Sequence, residues 1–164
     1  MPKEPKKKIR SSLLAAAIVV FIVGMPGSGF MVFLVALPLL VWIPCSVYVM
    51  ITKPEMRTNQ LIRVGIWVLV VPLLYGIHYF RQVTTRRNAD EIVAEVNGFS
   101  RMHGRYPLTL DEIGISRKKL KEKLGFSGYL IYTGKPRLWY HTTMTPFGMC
   151  DYHFETGSWI CRPD

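Results

Sequence analysis

Three apolar stretches, separated by short polar breaks, fill the first half of the chain; helical and strand periodicities follow. The longest stretch, Phe30 to Ile51 (FMVFLVALPLLVWIPCSVYVMI), carries no charge over 22 residues. At about 1.5 Å of rise per residue, a helix of that length crosses a hydrocarbon core of about 30 Å. Pro38 and Pro44 would break a soluble helix, but membrane helices accept proline where neighbouring groups satisfy the freed carbonyls. Val64 to Phe80 (VGIWVLVVPLLYGIHYF) is a second stretch, with Tyr75, His78 and Tyr79 placed as an interfacial end. Leu13 to Val23 is shorter. Extended through Ser11, Ser12 and Gly24–Phe30 it reaches about 20 residues, broken by Pro26, Gly27 and Gly29. The pattern predicts an anchor over 1–80 with spans at about 11–29, 30–51 and 63–80, the first two joined by a tight turn at Met25–Gly29, and a water-soluble domain over 81–164.

In that domain, Arg86 to His103 reads as an amphipathic helix. Ile92, Val96, Phe99 and Met102 or His103 recur at helical spacing, flanked by Ala89 and Val93. Asp90, Glu91 and Glu95 near its start and Arg101 and His103 near its end suit the helix dipole, and Gly104 suits its C-terminal cap. The helix is expected to continue from the last span as a semi-rigid stalk. Tyr106, before Pro107, should be extended. Thr109-x-x-Glu112 has capping-box spacing for a short helical turn that packs Leu110 and Ile113 inward. Ser116 should cap a second short helix through Leu124, with Leu120 and Leu124 on its inner side and Gly125 ending it. Strands follow at Tyr129–Thr133, Arg137–Met144, Met149–Phe154 and Ser158–Arg162, with a turn at Gly134-Lys135-Pro136. The fold class expected is an α-helical anchor of three transmembrane helices plus a small α+β domain, a stem helix on an antiparallel sheet of about four strands.

Net charge is +10, with 21 basic against 11 acidic residues. Much of the excess flanks the apolar stretches, where it signals topology. Three spans put Met1–Arg10 and Thr52–Arg63, with their basic residues, on the cytoplasmic side. Two spans satisfy the same rule, so charge does not choose between them. No nucleic-acid recognition motif accompanies the charge. Arg117, Lys118, Lys119, Lys121 and Lys123 crowd the outer side of the second short helix, either as a solvated face or as a binding face for an acidic partner or lipid headgroups.

The cysteines bear on compartment. Cys45 lies inside a span and reads as a packing residue. Cys150 alternates with Tyr152 and Phe154 on one strand, and Cys161 with Trp159 on the returning strand around Glu155-Thr156-Gly157. In a hairpin Cys150 and Cys161 face each other or sit diagonally, within disulfide reach. His141 and His153 are too few and too scattered to make a metal set with them. A disulfide implies an oxidising compartment, which favours three spans and a domain outside the cytoplasm.

Gly104-x-Tyr106-Pro107 and Leu110-x-Glu112-Ile113, following a long helix that leaves a span and preceding an antiparallel sheet, resemble the periplasmic domain of pilins and pseudopilins over about residues 85–164. The resemblance implies a turn packed against the stem helix and a C-terminal disulfide pinning the sheet. The anchor departs from that family. Gly29-Phe30-Met31 looks like a processing site, but the glutamate early in the mature chain is missing, and apolar segments lie on both sides. The chain therefore resembles a pilin-shaped domain on a polytopic anchor rather than a fibre subunit.

No Gly-rich phosphate loop, paired-cysteine metal motif or nucleophile elbow is present, so no catalytic, cofactor-binding or metal residue is assigned. The spans carry almost no ionisable residue, which argues against a transporter. What remains is protein binding. The first expectation is a bacterial inner-membrane immunity protein, N-terminus cytoplasmic and C-terminal domain periplasmic, that neutralises a secreted toxin. The alternatives are an accessory component of a type IV pilus or secretion system, and a membrane-bound sensor. Candidate contact residues are Arg117, Lys118, Lys121, Trp139, Tyr140 and Trp159; no small-molecule substrate or nucleic-acid partner is expected.

Overall fold

The structure, a computed structural model, describes residues 4–25, 27–143, 145 and 147–162. It divides into two compact units, Met1–His78 and Tyr79–Asp164.

The first unit contains α1 (Glu4–Val23), α2 (Met31–Thr52), a 3₁₀ turn at Pro54–Met56 and the first part of α3 (Arg57–His103). The α1–α2 connection falls where the Met25–Gly29 turn was expected; Pro26 itself lies outside the described residues. Pro54 pushes Lys53 out of helical geometry (φ −130°, ψ 81°), which ends α2. Helix α2 and the helix that follows Pro54 are long and apolar enough to cross a membrane. The apolar part of α1, Ile9–Val23, is shorter than that test requires, so the three expected spans become two qualifying helices and one shorter apolar helix.

Ala16, Val23, Val32, Val70 and Leu74 form the core of this unit. Leu14, Phe21, Leu40, Ile51 and Leu69 are exposed, a surface far more apolar than water favours. His78, near the end of the last apolar stretch, is fully buried. Its Nε2 donates to the Val23 carbonyl at 2.8 Å, an acceptor left over where α1 ends. Ser28 Oγ reaches the same carbonyl at 2.7 Å.

Helix α3 is continuous over 47 residues, so the stem does run on from the last apolar stretch. It starts at Arg57 rather than near residue 63 because nothing between Arg57 and Arg63 stops a helix. In the second unit, Ala89, Ile92, Val93 and Val96 of α3 join Leu110, Ile115, Leu138, Tyr140, Cys150, Tyr152 and Phe154 in one buried cluster, and Phe99 is buried on the same helix. Met102 is exposed, and His103 stacks on Phe99 with ring centroids 4.0 Å apart. Burying such side chains stabilises by roughly 1.5–3 kcal/mol each, less the entropy of ordering them.

Ser116 Oγ accepts from Lys119 N–H at 3.3 Å and caps α4 (Arg117–Leu124), whose Leu120 and Leu124 are buried. The expected capping box is only half present. Thr109 makes no side-chain cap to the 3₁₀ turn Leu110–Ile113, whereas Glu112 Oε1 accepts from Leu108 N–H at 2.8 Å.

The sheet is an antiparallel meander, β1 (Ser127–Tyr132), β2 (Lys135–His141), β3 (Met149–His153) and β4 (Ser158–Arg162), in the order β1-β2-β3-β4. Strand β2 ends at His141; Met144, its expected end, lies outside the described residues. Lys135 and Pro136, expected in the turn, belong to β2, because the ladder closes at Tyr132↔Lys135 around Thr133-Gly134. Both turn residues have positive φ, 51° and 78°, as the tight hairpin turn that matches strand twist requires. Pro136 is tolerated because the β2–β3 ladder begins only at Arg137, leaving no donor required on that side.

Thr133 is β-branched in a conformation that suits asparagine or glycine. Thr133→Asn should raise stability by about 1 kcal/mol, read as a higher thermal midpoint of the full chain in detergent.

Candidate functional site

Strand alternation sorts the sheet residues into two sets. Tyr129, Leu138, Tyr140, Cys150, Tyr152, Trp159 and Cys161 share the face that packs on α3. Leu130, Tyr132, Arg137, Trp139, Asp151 and Ile160 share the opposite face. Cys150 and Cys161 lie directly across the β3–β4 ladder, with Cα atoms 4.0 Å apart, and are disulfide-bonded.

This sorting separates the candidate contact residues. Tyr140 is only 1% exposed, so it is a core residue and not a contact anchor. Burial pushes its phenol pKa up. Adjacent strand residues face opposite ways, and Tyr140 takes the inner side with Cys150, its cross-strand partner. Trp159 is also tied inward. Its Nε1 donates to Asp90 Oδ1 at 2.7 Å, and the Arg86 guanidinium lies 4.5 Å from its ring centroid. It walls a groove of about 550 Å³ with Asp90, Asn97, Gly98 and Arg101 of α3.

Trp139 stands on the outer face, half-buried. Its ring lies over Gly128, where an added Cβ would come within 2.7 Å of the indole, so only glycine fits opposite it. Phe126 packs beside it with centroids 5.6 Å apart. Here the structure brings two candidates together: Arg117 and Trp139 line one groove of about 460 Å³ with Leu108, Phe126 and Leu130. Leu108, Phe126 and Leu130 are exposed large apolar residues. Lys118 and Lys121 are exposed on α4. Arg117, Lys119 and Lys121 make no ion pair among the described residues, whereas Lys123 holds Glu91 of α3 at 3.3 Å.

The groove runs along the sheet's β1 edge. Phe126 O accepts from His141 N–H at 3.0 Å. The alternate residues Ser127, Tyr129 and Ile131 therefore turn their backbone donors and acceptors away from β2, toward the open edge. The floor is pinned by Tyr129, whose Oη donates to Pro107 O at 2.8 Å. Burial first, then the nearby Glu112 charge, raises the Tyr129 pKa to about 12, so the donor stays protonated. Tyr106 packs edge-on to Phe154 at 5.6 Å, and Arg105 lies 5.3 Å over Phe99.

Sequence reading missed Leu108 and Phe126, because an exposed apolar residue outside a predicted strand carries no periodic signal, and Leu130, because alternation within the Tyr129–Thr133 strand does not say which face is open. It also missed an ion pair on the outer face. Asp151 is 5% exposed there, with Arg137 Nη2 at 3.5 Å from its Oδ2 and His153 Nε2 at 3.4 Å from the same nitrogen. Among the described residues, no three His, Cys, Asp or Glu side chains converge as a metal set. A free backbone edge, an exposed aromatic and unpaired cations suit recognition of an extended peptide segment.

No family model matches the sequence, and none of the curated proteins or solved structures does.

Two predictions concern the frame of the groove. Closing a loop of sequence separation 11, the Cys150–Cys161 bond should contribute about 3 kcal/mol, lost in a Cys150→Ala/Cys161→Ala variant and measurable by denaturant unfolding. The Glu112 carboxyl is held below its ordinary value of 4.5, first by the Leu108 N–H and then by Arg105. A carboxylate with a lowered folded-state pKa stabilises above its unfolded value, and that stability is lost as pH falls through the folded one. Glu112→Gln should therefore lower stability at neutral pH, leave it unchanged at low pH and so flatten the acid limb of the stability–pH curve, as read by denaturant unfolding at a series of pH values.

Proposed function

We propose that this chain is a membrane-anchored protein-binding module, and specifically a bacterial inner-membrane immunity protein whose periplasmic domain neutralises a secreted toxin. The observation that carries protein binding is the β1-edge groove, where Arg117, Trp139 and exposed Phe126 meet an unpaired strand edge. An extended segment of the toxin adds a strand along Ser127, Tyr129 and Ile131, places apolar side chains against Trp139 and Phe126, and sets acidic residues opposite Arg117, Lys118 and Lys121. Main-chain bonds supply affinity; the aromatic pocket and the charges supply selection.

Membrane placement is supported by α2 and the helix after Pro54. The periplasmic assignment rests on the disulfide, which survives in oxidising compartments. The basic residues of Met1–Arg10 and Thr52–Arg63 support a cytoplasmic N-terminus.

A second reading is an accessory component of a pilus or secretion system. It is favoured by one observation: a helix continuous from an apolar segment packs on a four-stranded meander beside the Gly104-x-Tyr106-Pro107 turn.

Expression of a toxin encoded beside this reading frame, with and without the protein, separates the two. Survival only in its presence is expected; unchanged killing would sink the immunity reading. Phe126→Glu with Arg117→Glu, both at exposed positions, should abolish protection at unchanged protein level and weaken binding about thirtyfold, the effect of losing a contact worth about 2 kcal/mol. Alkaline phosphatase fused after Asp164 should be active, and an inactive fusion would overturn the periplasmic placement.

A further inference from the structure

In the first unit, Arg63 is a cation that no acidic side chain neutralises among the described residues. Arg63 sits where the polar start of α3 meets the apolar run beginning at Val64. Its Nε donates to Ser12 Oγ of α1 at 3.0 Å, its Nη1 to Gln60 Oε1 at 3.4 Å, and its guanidinium lies 5.6 Å from the ring centroid of Trp42 on α2. Trp42 is halfway along α2, so the charge is held well inside the length of that helix. Arg63 forms no salt bridge among the described residues, and its Nη2 takes no hydrogen-bond partner there. A guanidinium in an apolar setting without a counter-charge is costly.

The same side chain lines a groove of about 520 Å³ with Ser12, Leu34, Pro38, Trp42 and Trp67. Leu34, Pro38 and Trp42 recur every four residues along α2, giving an apolar strip about 12 Å long that leads away from the charge. Leu34 in its lining is exposed, as are Leu37 and Val41 elsewhere on α2. If α2 and α3 cross a membrane, lipid is the solvent at that mouth.

We infer that this groove binds one anionic phospholipid, its phosphate on Arg63 and one acyl chain along Leu34–Pro38–Trp42. The charge complementarity is direct: a planar guanidinium, held by contacts to three helices, leaves a donor edge matched to phosphate oxygens. Basic pockets between membrane helices on the cytoplasmic side take anionic headgroups for the same reason. The inference rests on the membrane reading of α2 and α3.

Trp42 and Trp67 line the groove and report on it. The full chain, reconstituted in phosphatidylcholine vesicles, is titrated with phosphatidylglycerol or phosphatidylcholine brominated on the acyl chains, which quenches tryptophan on contact. Phosphatidylglycerol should quench at about fivefold lower mole fraction than phosphatidylcholine, the worth of one basic group facing an anionic lipid. Arg63→Gln should bring the two curves together, and Trp42→Phe/Trp67→Phe should remove the difference. Coincident curves in the unsubstituted protein, or a preference that persists in Arg63→Gln, would overturn the site. Loss of the preference in millimolar inorganic phosphate would overturn the lipid assignment in favour of a free-phosphate site. Release of the chain from membranes by alkaline carbonate would refute the membrane reading itself, whereas a retained chain with coincident curves refutes only the lipid site.

Discussion

Ala89, Ile92, Val93 and Val96 lie on one side of α3, and that side cannot face water without losing the burial that stabilises the second unit. The sheet needs the same contact from its own direction, since a small meander is marginal without something packed on its apolar face. Helix and sheet therefore stabilise each other. Leu138, Tyr140, Cys150 and Tyr152 point at α3 because they are the residues whose parity along the strands makes that possible. Once that face is assigned, the other follows, and with it the exposure of the Trp139 side. The disulfide joins β3 to β4 on the side that carries Tyr140 and Tyr152, with Cys150 buried and Cys161 exposed.

Much of this was legible in the chain. The apolar runs located the helices of the first unit, the spacing of Ile92, Val96 and Phe99 located the buried side of α3, and period-two alternation put Cys150 and Cys161 opposite or diagonal to each other, of which the ladder shows the first. The hairpin turn was misplaced because Pro136 reads as a turn residue, while its actual place is a strand position where no donor is needed. The contact residues were harder. Trp139 and Tyr140 are neighbours, so alternation demands that only one face outward, but which one depends on α3 and not on either residue's chemistry. Trp159 was read as a free anchor because its hydrogen bond crosses to Asp90, 69 residues away. The groove beside β1 was invisible, because it is assembled from Leu108, Arg117, Phe126 and Trp139, which belong to four separate segments.

The first unit shows how few polar side chains are needed where most of the sequence is apolar. Ser12, Ser28 and His78 are buried, and each makes a bond to a group that its own helix does not satisfy. Apolar packing between such helices is weakly directional, so these bonds carry specificity beyond their energy. His78 illustrates the point: it closes the buried Val23 carbonyl that α1 leaves over at its end.

The meander has a kinetic consequence. Because β1, β2, β3 and β4 pair strictly in chain order, each strand finds its partner across a short connection, and loop closure costs little. The contacts of long sequence separation are those between α3 and the sheet, such as Trp159 with Asp90 across 69 residues. Folding rates fall as contact order rises. The strand pairings therefore add little to the contact order of the second unit, and its topological cost lies in the contacts between α3 and the sheet.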